Sequence, residues 1–350
     1  APIAANANES NFRDVTSYSQ DQLQVSVDTF KPLSNKNPLL AGGEGINQNQ
    51  NDDFDVDTFS ATTTASFTSN FALGKEEGVT TRKETISNFD WEIALSSGFT
   101  GNDSLDIVMQ AGASAGFTEL DMTNNSKKVT VDSITYTTSL GDKVSTFFAF
   151  GDGAAGSSLY NTACVYGAQT DTLSNCGVSA ANIDEGLGAA LGAGLDFGNG
   201  FTAAVGYEGQ GDTTAGLGSK EGLDSIAGQV AYSNDNFGIS LTGARIETSE
   251  TEDDTFTAIN AFFSPDEGGL PSISVGYEKG DVGGAASNVD ETTSYFIGIQ
   301  WDELGEGVLG LAAGTHTPIV ENSDSLLMYE AYYSYPVNDG MTITPLIYTK

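Results

Sequence analysis

Basic residues are scarce in this chain of 350 residues. Lys and Arg together number 13, against 48 Asp and Glu, which gives a formal net charge of −35. A protein that follows a phosphate backbone needs clustered Lys and Arg, so this charge excludes a nucleic-acid binder. Charged residues make up only 17% of the chain, below the roughly 25% of an average soluble domain. The polarity of the chain therefore comes mainly from uncharged side chains.

Long apolar runs and histidines are also few. The longest apolar stretches, such as residues 187–195, are diluted with Gly and fall well short of the roughly 20 residues that a spanning helix needs. The single histidine, His316, excludes His-rich metal sites and any catalytic arrangement that needs two histidines. We expect neither a metal nor a cofactor, and we expect His316 to lie in a solvated loop.

Cysteine is limited to Cys164 and Cys176, which lie 12 residues apart. Their spacing is unlike the close pairs that bind zinc, so we predict one loop-closing disulfide.

Asp53, Asp55 and Asp57 begin like a calcium loop, but the Gly and Glu that an EF-hand requires do not follow. An EF-hand is excluded, and a looser calcium site stays open.

Alternation of apolar and small polar residues is abundant. Between Phe59 and Leu73 most odd positions are apolar, whereas the even positions are mainly Ser, Thr and Asn. A period of two predicts a β-strand with two different faces. Fourteen further segments show related patterns: 89–96, 105–110, 129–138, 142–150, 191–197, 201–208, 224–233, 236–247, 254–264, 273–278, 291–301, 307–315, 326–335 and 341–349. The chain is therefore predicted to be all-β.

Connections and side-chain types favour a membrane barrel over a soluble sheet or sandwich. Tight turns such as Asn199-Gly200 alternate with longer loops, as in up-and-down barrels. The polar face carries mostly Gly, Ser, Thr and Ala, where a soluble sheet would place Lys, Glu and Arg. Aromatic residues near the segment ends suggest an interfacial girdle, with an ordinary β-core as the alternative: Trp91, Phe197, Phe201, Tyr232, Tyr277, Trp301, Tyr333 and Tyr335. We therefore predict a transmembrane antiparallel β-barrel.

Several short sequence segments resemble those of the cyanobacterial outer-membrane porins, which are related to the carbohydrate-selective porins and often labelled iron uptake porins. The segments are residues 62–67, 97–105, 228–239, 329–333 and 341–345. The resemblance covers roughly residues 57–350 and implies a sixteen-stranded barrel in outer-membrane lipid, assembled as a homotrimer. It also implies passive diffusion of small hydrophilic solutes and inorganic ions. It contains no catalytic signature, so we do not expect an enzyme.

Three parts of the chain can be distinguished. Residues 1–7 end in a small-x-small pattern typical of the tail of an export signal, with an ordinary polar N-terminus as the alternative. Residues 8–56 form an irregular leader, and residues 57–350 form the barrel. Because bacterial single-chain barrels have an even number of strands and fifteen are readable, we expect the last strand to be missing from this chain.

The longest connection, at about 152–183, contains both cysteines. We predict that it folds into the lumen as a constriction loop, with an exposed surface loop as the alternative. Seven carboxylates lie on the small-polar face of their strands and are predicted to line the pore: Asp90, Glu92, Asp106, Asp196, Glu208, Glu278 and Glu330. Because Arg245 and few other bases oppose them, we predict a cation-preferring porin. The alternative function is an exported acidic β-rich surface or adhesive protein.

Overall fold

A computed structural model shows the backbone of residues 3–6 and describes residues 63–76, 84–113, 116–178, 180–184, 186–211, 213–250, 252–266, 269–283, 291–316, 318–320 and 326–350. The expected leader at 8–56 and its candidate calcium residues lie outside these ranges. Within them the helical elements are two short 3₁₀ turns, Asp171–Gly177 and Ala180–Asn182. A search of the described residues for an apolar helix of membrane-spanning length found none.

Strands account for most of the described residues. A tetrapeptide, β1, and a dipeptide, β15, accompany fifteen long strands, which coincide with the fifteen predicted segments. The prediction of an all-β antiparallel fold is therefore confirmed. The bounds are β1 (Ile3–Asn6), β2 (Thr63–Gly74), β3 (Ile86–Ser97), β4 (Asp103–Ala113), β5 (Thr130–Leu140), β6 (Val144–Gly151), β7 (Gly188–Gly198), β8 (Phe201–Gly209), β9 (Asp224–Ser233), β10 (Phe237–Ser249), β11 (Glu252–Phe263), β12 (Ser272–Val282), β13 (Glu291–Leu304), β14 (Gly307–Thr315), β15 (Ile319–Val320), β16 (Leu327–Asn338) and β17 (Met341–Thr349).

All strands belong to one antiparallel sheet. Each long strand pairs with the next from β2 to β14, and β16 then pairs with β14 and β17. The short strand β1 lies between β2 and β17, where Ile3 pairs with both Leu73 and Pro345. Because β1 covers four residues of β2, which has 12, the strands in the described part of the chain do not close the barrel over its full height.

The connections differ at the two ends of the barrel. At the short-turn end, β7 and β8 are joined by Asn199 and Gly200, whose φ angles of 55° and 86° are both positive. A type I′ turn requires positive φ at both central positions, which explains the Asn-Gly pair. The opposite, long-loop end contains the connections between β4 and β5 and between β6 and β7, at residues 114–129 and 152–187. The second of these connections is called the inner loop below.

The faces of the sheet carry different side chains. In β10, Phe237, Ile239 and Leu241 are exposed, whereas the intervening Ser240 and Thr242 are buried. Apolar residues outside and polar residues inside are typical of a membrane barrel and opposite to a soluble sheet. The outer face thus has the composition of a lipid-facing surface.

Aromatic residues are concentrated on the outer face at the short-turn end. The ring centroids of Phe201 and Tyr232 lie 4.6 Å apart, and those of Tyr232 and Phe237 lie 5.4 Å apart. Trp91 and Tyr277 depart from the predicted girdle. Trp91 pairs with Ser69 and Ala111 near the middle of β3, and Tyr277 is the central residue of β12. The eight-residue segment predicted from the sequence starts three residues after the strand begins, which misplaced Trp91 near an end.

A charge on the apolar outer face should destabilise the protein in lipid. We expect Leu241→Lys, at a position that is 50% exposed among apolar neighbours, to lower the free energy of unfolding by about 2–4 kcal/mol in bilayers. The matched control Thr255→Lys lies opposite Arg245 in the polar part of the outer face and should cost at most about 1 kcal/mol. Urea unfolding of both variants in vesicles measures the difference, and equal losses would contradict a lipid-facing position for Leu241.

Candidate functional site

The inner loop crosses the inner face of the sheet and is bound there by side chains of successive strands. Its backbone N–H groups donate to acceptors on β8, β9, β10, β12, β13 and β16. The donor and acceptor pairs are Gly156 to Glu208 at 2.6 Å, Asn161 to Gln229 at 2.7 Å, Ala163 to Ser240 at 3.0 Å, Val165 to Ser274 at 3.1 Å, Gly167 to Gln300 at 2.8 Å, Gln169 to Glu330 at 3.1 Å and Ala181 to Glu278 at 2.8 Å.

This pattern follows from the direction of the inner loop. A chain that crosses strands instead of running along them cannot join their backbone ladder, so its buried N–H groups need other acceptors. The wall supplies them from inward positions of the alternating strands, such as Ser240 in β10 and Ser274 in β12. The polar character of the inner face therefore serves to bind the inner loop.

Glu208, Glu278 and Glu330 are the charged acceptors in this set. Their exposed fractions are 0%, 5% and 3%, so they lie beneath the inner loop and not at an open water surface. Glu330 also accepts a hydrogen bond of 2.9 Å from the hydroxyl group of Tyr166. Hydrogen bonds to a carboxylate are roughly twice as strong as those between neutral groups. These three predicted pore-lining residues thus act as anchors of the inner loop.

Apolar contacts fix the same loop against the wall. Three clusters form, one around Leu173, Cys176 and Tyr166 of the loop, one around Val178 and Ile183, and one in which Ala154 of the loop packs with Phe147, Ala149 and Ala190 of the wall. The wall residues of the first cluster are Phe296, Ala312, Met328, Tyr332 and Leu346, and those of the second are Ala227, Ala244, Ile246 and Ala258. The loop is therefore packed as a small core inside the barrel.

Glycine on the wall permits the closest approaches of the loop backbone. A Cβ atom at Gly276 would overlap the carbonyl oxygen of Cys176, and one at Gly206 would overlap that of Gly156. Neither carbonyl could keep its position beside a larger residue. These two wall positions therefore set how closely the loop lies to the sheet.

Cys164 and Cys176 form a disulfide, with their Cα atoms 5.9 Å apart. In the chain-entropy account, closing a ring of this size stabilises the folded state by roughly 3 kcal/mol. The bond joins the part of the inner loop that is anchored by Ala163 and Val165 to the part that lies against Gly276. The disulfide thereby holds these two parts of the inner loop together.

The other four predicted pore-lining residues lie apart from this loop contact. Asp90 is buried and accepts a hydrogen bond of 3.0 Å from the backbone of Thr123. Asp106 is half-buried and accepts one of 2.6 Å from Ser104. Asp196 is exposed near the turn at Asn199, and Glu92 is exposed near the middle of β3. The structure therefore does not bring the seven carboxylates together in one ring.

A second polar cluster lies at the long-loop end and was not found from the sequence. The Lys350 ammonium lies 3.0 Å from Glu76 and 2.9 Å from Glu119, and His316 Nε2 lies 3.1 Å from Glu119. Thr172 of the inner loop donates a hydrogen bond of 2.7 Å to Glu119. We call these five residues the Glu119 cluster. Because they come from four loops and the end of β17, no local spacing could have revealed them.

Charges and hydrogen bonds within the Glu119 cluster change the pKa values of Glu119, Glu76 and Lys350. Burial alone would raise the pKa of Glu119, but hydrogen bonds from Thr172, Lys350 and His316 and the charge of Lys350 outweigh it and lower the pKa. The pKa of Glu76 is lowered as well. Burial alone would raise it, but hydrogen bonds from Thr118 and Lys350 and the charge of Lys350 outweigh that effect. Burial alone would lower the pKa of Lys350, but the two glutamates raise it.

Three aspartates in the loops form an acidic group nearby. Burial raises the pKa of Asp121, and repulsion from Asp90 and Asp184 adds to the shift. Burial also raises the pKa of Asp171, and repulsion from Asp121 adds to that shift. Burial raises the pKa of Asp184 in the same direction, with a further contribution from Asp171. Across the described ranges, no three His, Cys, Asp or Glu side chains are grouped as metal ligands would be.

The comparisons with known proteins give structural neighbours only. No protein-family model matches the chain, and no curated protein sequence is significantly similar to it. A mutant of the Rh. blastica porin has a TM-score of 0.52 and 12% sequence identity, over 82% of this chain and 98% of that chain. The high-pH structure of OprB from Pseudomonas putida has a TM-score of 0.58 and 9% identity, over 82% of this chain and 88% of that chain. The fold is that of the bacterial outer-membrane porins.

Removing the Glu330 anchor should loosen one part of the inner loop. We expect Glu330→Ala to accelerate amide hydrogen exchange at Gln169 by roughly tenfold or more, because a hydrogen bond to a charged group is lost. Glu330→Gln keeps an acceptor oxygen and should have a smaller effect. The control Glu306→Ala removes an exposed carboxylate that contacts Tyr335 and should leave Gln169 unchanged. An unchanged rate in Glu330→Ala would contradict the anchoring role.

Lys350→Gln should change the pH dependence of stability. The pKa values of Glu76 and Glu119 in the folded protein lie below the ordinary 4.5. The two ionised carboxylates therefore stabilise the native state above pH 4.5. This stabilisation is lost as the pH falls through the lowered pKa values and the carboxylates become protonated. The variant leaves two buried carboxylates without their cation, so we expect a loss of about 3 kcal/mol near pH 7. Unfolding measured from pH 3 to pH 8 should show that the difference from wild type shrinks below pH 4. A difference independent of pH would contradict this role.

Proposed function

We propose that this protein is an outer-membrane porin, a water-filled channel for passive diffusion of small hydrophilic solutes and inorganic ions. The observation that carries the proposal is a barrel with an apolar outer face and an anchored loop across its inner face. In a channel such a loop would narrow the lumen, and the low-identity likeness to porin structures supports the same function. In this function the chain performs no catalysis.

The charges inside the barrel support a preference for cations. Glu92 and Asp196 are exposed on the inner face, and Asp106 is half-buried there. Carboxylates in a narrow passage with low-dielectric walls raise the local concentration of cations. We propose no specific solute, because the described residues show no ligand set for iron. The homotrimer stays a proposal that rests on the resemblance to the cyanobacterial porins.

The alternative of an acidic surface or adhesive protein is less well supported. A soluble β-protein would cover its apolar face, whereas Phe67, Phe71 and Val230 are each more than half exposed here, at 74%, 60% and 56%. Exposed apolar side chains on strands as far apart as β2 and β9 indicate an outer face that contacts lipid or another protein. A porin accounts for both the exposed apolar residues and the polar interior.

Purified protein should form cation-selective channels. We expect stepwise conductance in a planar bilayer and, across a KCl gradient, a reversal potential of the cation-selective sign. The same sample should migrate differently in SDS before and after heating, as a closed barrel does and a soluble β-domain does not. Absence of any conductance from folded, membrane-inserted protein would refute the channel, and a reversal potential at zero or of the anion-selective sign would refute the cation preference.

A further inference from the structure

The two long strands that flank β1, which are β2 and β17, run in the same direction. Both are antiparallel to β1, which lies between them. Two strands that run in the same direction cannot continue an antiparallel ladder by pairing with each other. The line along which β2 and β17 face each other, called the seam below, therefore needs another means of closure wherever β1 does not reach.

β1 occupies only a short part of the seam. It pairs with residues 70–73 of β2 and with residues 344 and 345 of β17. Toward the long-loop end β17 continues through residues 346–349, which pair with β16 on their other side. Among the described residues, no strand lies beside 346–349 on the side of the seam. This end of the seam therefore has no ladder hydrogen bonds from the described strands.

The Glu119 cluster spans the seam at this level. Lys350 follows the last residue of β17, and Glu76 follows β2 by two residues. Lys350 Nζ lies 3.0 Å from Glu76 Oε1, although two strands that flank a third lie roughly 10 Å apart. Long side chains from the two strands thus meet in the space that a strand would otherwise fill.

The same cluster holds the inner loop. Glu119, in the connection between β4 and β5, lies 2.9 Å from the ammonium of Lys350 and accepts a hydrogen bond of 2.7 Å from the hydroxyl group of Thr172. Its backbone carbonyl group accepts the N–H of Asp171 at 2.9 Å. One residue thus contacts both the end of β17 and the inner loop.

We propose that the Glu119 cluster is a clasp that holds the long-loop end of the seam and couples it to the inner loop, so that loss of charge in the cluster releases both. The proposal does not depend on the proposed porin function, because it concerns the folded barrel alone. A contribution to stability would not by itself require the two parts to open together. Their joint release is therefore the property that distinguishes a clasp.

Other titratable groups surround the two glutamates of the clasp. His316 Nε2 lies 3.1 Å from Glu119, and Tyr348 of β17 lies within electrostatic reach of both glutamates. Asp171 of the inner loop repels Glu119. The favourable contacts outweigh this repulsion, since the pKa values of Glu119 and Glu76 are lowered from 4.5. The clasp is therefore formed above that pH and is lost as the pH falls through the lowered values.

Amide hydrogen exchange of the folded protein in lipid tests the clasp. We expect Lys350→Gln to accelerate exchange of the β1 amides and of Asp171 by roughly tenfold or more, because two buried carboxylates lose their cation and the seam opens locally. Lys350→Arg keeps the charge and should stay within about threefold of wild type. Lys279→Gln removes the cation of an exposed ion pair with Glu291 and is the matched control, which should change neither place.

The hairpin of β7 and β8, whose strands do not pair with the seam strands, is the internal reference. A global loss of stability would accelerate this hairpin as much as β1 and Asp171, and that result would overturn the proposal. Unchanged β1 amides in Lys350→Gln would overturn it as well.

Thr172→Val tests the coupling, because it removes the hydroxyl group that joins the inner loop to Glu119 and leaves the ion pair across the seam in place. We expect faster exchange at Asp171 together with a smaller acceleration at β1. Acceleration at Asp171 alone would show that the loop and the seam open independently and would refute the coupling.

The wild-type protein gives the same test if Lys350→Gln does not fold. Protection factors, which are corrected for the intrinsic exchange rate, should fall together at β1 and Asp171 between about pH 5 and about pH 3. The reference hairpin should keep its protection over this range. Loss of protection at the two places at different pH values, or at the same pH as in the reference hairpin, would contradict the clasp.

Discussion

The architecture of the lumen depends on one constraint, the need of buried backbone N–H groups for acceptors. The inner loop crosses the strands, so the ladder hydrogen bonds of the sheet are not available to it. Seven acceptor side chains on the wall replace them, from Glu208 on β8 to Glu330 on β16. The hydroxyl, amide and carboxylate groups on that wall follow from this requirement.

The constraint also explains why similar carboxylates have different roles. On a strand of period two, Glu92 and Glu278 both occupy inward positions, and the sequence gives no sign of which one is covered. Burial depends on where a loop from a distant part of the chain is packed. Glu278 lies beneath Ala181, whereas Glu92 on β3 is exposed.

The strands could be predicted from the sequence because the residues that determine each strand are neighbours along the chain. Alternation within β10 or β12 determines which residues face outward, and the Asn-Gly pair determines a tight turn. The Glu119 cluster could not be predicted, because Glu76, Lys350 and Thr172 meet only when β17 lies beside the start of the sheet and the loop is inside it. The sequence predicts a solvated His316, whereas its ring lies 3.1 Å from Glu119, for the same reason.

The close approach at Gly206 and Gly276 determines how far the inner loop stands from the sheet. Each glycine allows the loop backbone to rest against the sheet without an intervening methyl group. A side chain at either position would move the loop away from β8 or β12 and toward the interior of the barrel. The free space inside the barrel is thus determined in part by two wall residues that have no side chain.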